Sequence, residues 1–112
     1  MSKFEDALGK YKTSLNKLGK DVDEDLLRKV TKGLGPSIYN NDTMRVSCSD
    51  AEERKRVKTN FLMKKMGLED DGTLDDAVKQ ICEEMKSEGA NKYRAVFYYL
   101  LVKKHGLESK YA

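Results

Sequence analysis

The feature that most constrains the fold is an apolar run near the C-terminal end, residues 95–102, which reads AVFYYLLV. Such a run is compatible with a buried strand or a helix, so the flanking residues decide between them. Asn91 suits a helix N-cap, the basic residues 103–105 suit a last turn, and Gly106 suits the left-handed position that ends many helices. The sequence therefore predicts a helix over 91–108. It is too short to cross a membrane and apolar around most of its circumference, as is typical of a central helix in a bundle.

Four other segments carry apolar residues at helical spacing, and each starts beside a residue suited to capping. The predicted helices are 3–18 after Ser2, 24 to about 33 after Asp23, 50–66 after Ser49, and 74 to about 88 after Thr73. A further helical turn is expected at 36–40. The predicted fold class is all-α: a compact bundle of about five helices around the apolar C-terminal helix, in a single domain spanning 1–112.

Composition and cysteine content indicate where such a protein would reside. The chain has 112 residues, of which 37% are charged and 38% hydrophobic, and its N-terminus lacks the apolar segment of a signal peptide. Two cysteines do not make the disulfide framework of a secreted protein, so we expect a cytoplasmic protein with both thiols reduced. Cys82 lies on an expected buried face. Cys48 precedes a helix N-terminus, a position that favours a reactive thiolate.

Charge is unevenly distributed along the chain. Residues 51–66 carry six basic and two acidic side chains, whereas residues 69–88 carry eight acidic and two basic ones. One hypothesis is that Arg54, Arg56 and Lys58 contact nucleic-acid phosphates. The interpretation we favour is that both blocks are solvated faces and that the acidic block neutralises the basic one. Nucleic acid is thus an unlikely partner, since exposed aromatic residues for base stacking are also not expected.

The residues that could carry chemistry do not form a recognisable site. The aspartates at 21, 23 and 25 suggest a calcium loop, but Leu26 stands where glycine is needed and Lys32 where the closing glutamate is needed. His105 has no assignable nucleophile or orienting carboxylate. Phosphate-loop, dinucleotide and CxxC motifs do not occur in the sequence. We therefore predict no catalytic residue, cofactor or metal, and a protein that is not an enzyme.

The most unusual stretch is 33–42, where two glycines and the single proline precede a set of polar residues. In one interpretation this corner, together with the start of the third helix, binds a partner through Ser37, Tyr39, Asn40 and Asp42. In the other, which we favour, it is a structural elbow. Ile38 and Tyr39 would then fill the bundle while Asn40 and Asp42 cap local backbone.

Three stretches of the chain, 27–40, 49–50 and 58–62, resemble a family of short bacterial proteins described as a domain of unknown function. The most specific part is Gly-Pro-x-Ile-Tyr-Asn, present here as residues 35–40. The resemblance covers nearly the whole chain and implies a small α-helical fold in a bacterial, cytoplasmic setting. It implies no activity, cofactor or catalytic residue.

The function expected from these observations is a small non-enzymatic interaction module that binds another protein or a second copy of itself. Tyr98 and Tyr99 point in adjacent directions, so the last helix carries more apolar surface than five helices are expected to cover. An exposed patch there would mark a partner surface. A weak nucleic-acid binder using helix 50–66 is the alternative, and an enzyme with a site that the sequence does not reveal comes third.

Overall fold

The computed structural model describes residues 2–111 and shows an all-α bundle, as predicted. Residues 1 and 112 of the expected domain lie outside this range. The helices are α1 (Lys3–Lys17), α2 (Glu24–Leu34), α3 (Ala51–Arg56), α4 (Leu74–Glu84) and α5 (Arg94–His105). α3 continues directly into a π-helical segment, Val57–Lys65, and short 3-10 helices occupy Gly35–Tyr39, Lys86–Glu88 and Glu108–Tyr111.

The centre of the bundle is α5, which packs against α1, α2 and α4. Every residue from Ala95 to Val102 is buried. This confirms the prediction of a bundle built around the apolar C-terminal helix. Within residues 2–111, none of the helices combines the length and the apolar character that a membrane span requires.

Tyr98 and Tyr99 are both covered by the chain itself, with 8% and 1% of their surfaces exposed. The Tyr98 ring stacks on Phe61, with 3.9 Å between ring centroids. The Tyr99 hydroxyl donates to the Asp21 carbonyl (3.0 Å) and accepts from the Asp23 amide (2.9 Å). The expectation that these tyrosines form an exposed patch for self-association is therefore wrong. Among the described residues, the exposed large hydrophobic side chain is Tyr39, at 45%.

Most helix ends follow from local chemistry, as predicted. The Ser2 hydroxyl accepts from the Glu5 amide (3.1 Å), and the Asp23 carboxylate accepts from the Leu26 amide (3.2 Å). The third helix differs from the prediction because Asp50 rather than Ser49 is its N-cap. Gly106 adopts the expected left-handed conformation, with φ 64°, and ends α5.

The start of α5 corrects a prediction. The helix begins at Arg94, three residues after Asn91, because the preceding residues pair with the long connection 41–49 instead of coiling. The Val46 amide donates to the Lys92 carbonyl and the Arg94 amide donates to the Met44 carbonyl, each at 2.8 Å. This pairing fixes the connection against α5.

A disulfide joins Cys48 in the same connection to Cys82 on α4, with their Cα atoms 5.8 Å apart. The expectation that both thiols are reduced is therefore wrong for this structure. Cys82 does pack against the core, as its position on the inward side of α4 predicts. The two residues are 34 positions apart in sequence, and the packing of α3 against α4 brings them together. The connection is thus tied to α4 as well as to α5.

Candidate functional site

A concave surface rich in tyrosine lies between α1 and the 3-10 helix Gly35–Tyr39, and we call it the elbow groove. It has a volume of about 320 Å³. One wall is α1, and the other comes from the residues around the predicted elbow and from the residue before α5. Its lining residues are Lys3, Asp6, Ala7, Lys10, Tyr11, Ile38, Tyr39, Met44 and Tyr93.

The elbow positions its side chains through one glycine and one proline. Gly35 has φ 61°, a conformation that strongly favours glycine, and Pro36 then starts the 3-10 turn. Within that turn Ile38 is directed inward and is 3% exposed, whereas Tyr39 projects outward. The Thr43 hydroxyl donates to the Ser37 carbonyl (2.7 Å), which holds the next part of the chain against the turn.

Tyrosines give the groove its character. The Tyr11 and Tyr93 rings pack at 5.3 Å between centroids, with an interplanar angle of 56°. The guanidinium of Arg45 lies 5.9 Å from the centre of the Tyr93 ring. Burial, aided by Tyr93 and Tyr39, raises the pKa of Tyr11 to about 12. The Tyr11 phenol therefore stays neutral at physiological pH and adds aromatic surface with a hydroxyl group to the groove.

The polar residues predicted at the elbow have separate roles. Tyr39 lies on the groove. The Ser37 hydroxyl donates to the Leu34 carbonyl (2.7 Å), and the Asn40 side chain accepts from the Asp42 amide (2.8 Å). Asp42 is exposed and lines a different cavity, beside Cys48. The favoured elbow interpretation is thus correct for Ile38 and Asn40 and wrong for Tyr39, which fills no space in the bundle.

The wall facing the elbow is α1, and the start of α3 does not line the groove. The participation of the third helix in a binding surface stays a prediction. Nothing in the sequence indicated that Tyr11, Met44 and Tyr93 would meet at one surface. Their approach depends on the pairing of the connection 41–49 with the residues before α5, and this contact leaves no periodic signal in the sequence.

The basic side chains proposed for nucleic acid are engaged within the protein. Arg54 donates to the Cys48 carbonyl, and Arg56 pairs with Glu53 (2.8 Å). Lys58 lies 3.2 Å from Asp70 and 3.3 Å from Asp75, and its side chain is only 14% exposed. The acidic block after α3 therefore neutralises part of the basic one, as the favoured interpretation of the charge pattern expected.

The described residues do not form a cluster that could bind a metal ion. Among residues 2–111, three or more histidine, cysteine, aspartate or glutamate side chains do not come together in a way that could hold a metal ion. The His105 ring nitrogen Nδ1 lies 3.0 Å from the Leu101 carbonyl, within its own helix. The lining of the groove offers aromatic surface and hydroxyl groups.

The described residues thus form a small all-α protein with an aromatic depression between α1 and the elbow. The chain belongs to the family described as "Protein of unknown function (DUF2853)", whose model matches residues 10–109. The expected membership of a family of unknown function is thus confirmed. The matched range contains the groove residues from Lys10 to Tyr93, whereas Lys3, Asp6 and Ala7 precede it. No curated protein matches the chain.

Proposed function

We propose that this protein is a non-enzymatic interaction module that holds an apolar side chain of a partner protein in the elbow groove. The observation that carries the proposal is the placement of Tyr39. It is 45% exposed at the edge of a groove that contains two further tyrosines, whereas the other large hydrophobic side chains described are buried or half-buried. A partly exposed aromatic residue beside a depression is typical of a protein-binding surface.

The size of the groove favours a side chain over a whole small molecule. A volume of about 320 Å³ is at the lower limit for ligand pockets, and the groove is open along one side. Ala7 and Met44, which are both half-buried, offer apolar surface to the occupant, while the phenol groups can exchange hydrogen bonds with its backbone. Tyrosine suits this task because it provides a large contact area with little conformational entropy to lose.

The experiment compares proteins captured from the native cell extract by three immobilised forms: the wild-type chain, Tyr39→Ala and Met63→Ala. Met63 is a partly buried apolar residue of the π-helical segment outside the groove, so its variant controls for a general loss of apolar contacts. We expect one partner to be retained by the wild-type chain and by Met63→Ala and to be lost with Tyr39→Ala. Equal retention by all three forms, or no enrichment over the bare matrix, would contradict the proposal.

A further inference from the structure

We infer that the partner presents an acidic amphipathic helix, which lies along α1 and inserts its apolar side chain into the elbow groove. The inference deepens the proposed function and depends on it. Its starting point is a second depression of about 480 Å³ that continues the groove towards the C-terminal end of α1. The two depressions share Asp6, Lys10 and Tyr93, so they form one extended surface.

Three lysines line this surface at intervals of seven residues: Lys3, Lys10 and Lys17. Two helical turns separate each from the next, so the row extends for about 21 Å. All three are exposed, and within residues 2–111 none lies in a salt bridge, whereas Lys12 on the same helix pairs with Glu24. The row therefore presents positive charge with a helical repeat, which complements carboxylates spaced two turns apart on a second helix.

The acidic side chains on the same surface do not cancel the row. They are Asp6, between the first two lysines, and Glu88 on the facing wall. Glu88 accepts a hydrogen bond of 2.6 Å from the Ser14 hydroxyl, which holds its carboxylate against α1. The surface keeps an excess of positive charge, so an acidic partner fits it better than a basic one.

Gly9, on the exposed face of α1, independently supports the close approach of a second helix. Glycine is a poor residue for a helix interior, and a Cβ atom placed at Gly9 would meet no atom within 4 Å. The fold therefore gives no steric reason for a glycine at this position. Because Gly9 lines the second depression between Lys10 and Asp6, its bare backbone allows another helix to approach α1 closely.

The same charges argue against a second copy of this chain as the occupant. Two α1 helices packed along this face would place one lysine row against the other, and like charges on facing helices repel. The inference therefore commits to a different protein with an acidic helix.

The test uses a synthetic helical peptide of about 20 residues, long enough to follow α1, with glutamate at every seventh position and a central leucine and phenylalanine. Binding is measured by fluorescence anisotropy. We expect the wild-type chain to bind the peptide and Lys10→Glu to bind it about tenfold more weakly, with the difference shrinking at high salt. Lys29→Glu, an exposed position on α2 away from both depressions, is the charge-matched control.

Gly9→Ala separates binding from folding. Alanine favours the helix, so the melting temperature should rise by about 5 °C while affinity for the peptide falls severalfold. Asn16→Ala, an exposed α1 position that lines neither depression, should leave affinity unchanged. Undiminished binding by Gly9→Ala, equal effects of Lys10→Glu and Lys29→Glu, or failure of the wild-type chain to bind the peptide would each overturn the inference.

The outcomes for the two proposals are distinguishable. If Tyr39→Ala loses the captured partner while Lys10→Glu and Gly9→Ala retain it, the groove binds a partner. The inference that this partner presents an acidic helix along α1 is then wrong. If Lys10→Glu loses the peptide while Tyr39→Ala binds it as tightly as the wild-type chain, the lysine row binds acidic helices and the role proposed for the groove is wrong.

Discussion

At the scale of single residues, Arg94 determines how the long connection is held. Its side chain is 12% exposed and donates to the Thr43 carbonyl, to the Tyr98 hydroxyl (3.0 Å) and to the Glu53 carboxylate. Burial would raise the pKa of Glu53, but hydrogen bonds from Arg56 and Arg94 outweigh it and leave that pKa below its ordinary value. A buried charge of either sign is thus compensated by a specific partner.

Glu53→Gln should lower the free energy of unfolding by about 3 kcal/mol, because it leaves the Arg94 guanidinium buried without its counter-charge. The measurement is urea unfolding at neutral pH, with exposed Glu52→Gln as the control. Because the folded-state pKa of Glu53 is lowered, its stabilising contribution is present above its ordinary pKa of 4.5 and is lost as pH falls through the folded value.

The wild-type chain should therefore lose stability more steeply than Glu53→Gln on acidification below about pH 4.5. Identical stabilities for Glu53→Gln and Glu52→Gln at neutral pH would show that the Glu53–Arg94 pair does not stabilise the fold.

At the scale of elements, the sequence predicts those helix ends and buried faces that depend on residues close together in the chain. Glycine stops and capping side chains act within one helical turn, so the start of α1, the C-terminal end of α5 and the inward side of α4 follow from the sequence. The π-helical segment Val57–Lys65 is different. Its apolar residues also fit the spacing of an ordinary α-helix, so periodicity alone gives no sign of the wider turns.

The groove and the start of α5 could not be predicted for another reason. Each depends on a meeting of residues that are far apart in sequence, such as Tyr11 with Tyr93 or Met44 with Arg94. Composition did identify the elbow, because Gly35 and Pro36 impose an unusual backbone path. It could not show that Tyr39 would remain exposed, since exposure depends on which helix lies opposite.

The disulfide between the connection 41–49 and α4 gives a prediction at the scale of elements. Opening the Cys48–Cys82 disulfide should lower the free energy of unfolding by about 4 kcal/mol, because it frees a loop of 34 residues in the unfolded chain. The measurement is urea unfolding with and without dithiothreitol. A double variant, Cys48→Ser with Cys82→Ser, should be insensitive to the reductant. Equal stability of the wild-type chain in both conditions, with both thiols shown to be free by mass spectrometry, would contradict this expectation.

At the scale of the whole molecule, charge compensation limits the partners that the basic residues can reach. The net charge is only +3, and Lys58 and Arg56 are paired with carboxylates. Unpaired positive charge with a regular repeat is found on α1, not on α3. The molecule therefore has a basic row on the face of the groove, whereas the face proposed for nucleic acid has two of its six basic side chains paired with carboxylates.

We predict that the wild-type chain does not bind labelled duplex or single-stranded DNA through its basic segment 51–66, even at low salt. Binding is measured by fluorescence anisotropy. The informative variant is Asp70→Asn with Asp75→Asn, which frees Lys58 from both of its carboxylates. It should bind DNA more tightly than the wild-type chain does, with a salt dependence. Salt-dependent binding by the wild-type chain that Lys58→Ala weakens would show that the acidic block does not mask the basic one.

The tethering of the connection 41–49 has a consequence for the native-state dynamics of the protein. A connection without regular secondary structure usually opens locally, at little cost in free energy, and its amides then exchange with solvent. Here the Val46 amide is bonded across to the residues before α5, and Arg94 and Cys82 hold the chain on either side of it. We therefore expect the Val46 amide to exchange as slowly as the amides of the core helices, and the side of the groove formed by Met44 to keep its position when the rest of the surface fluctuates.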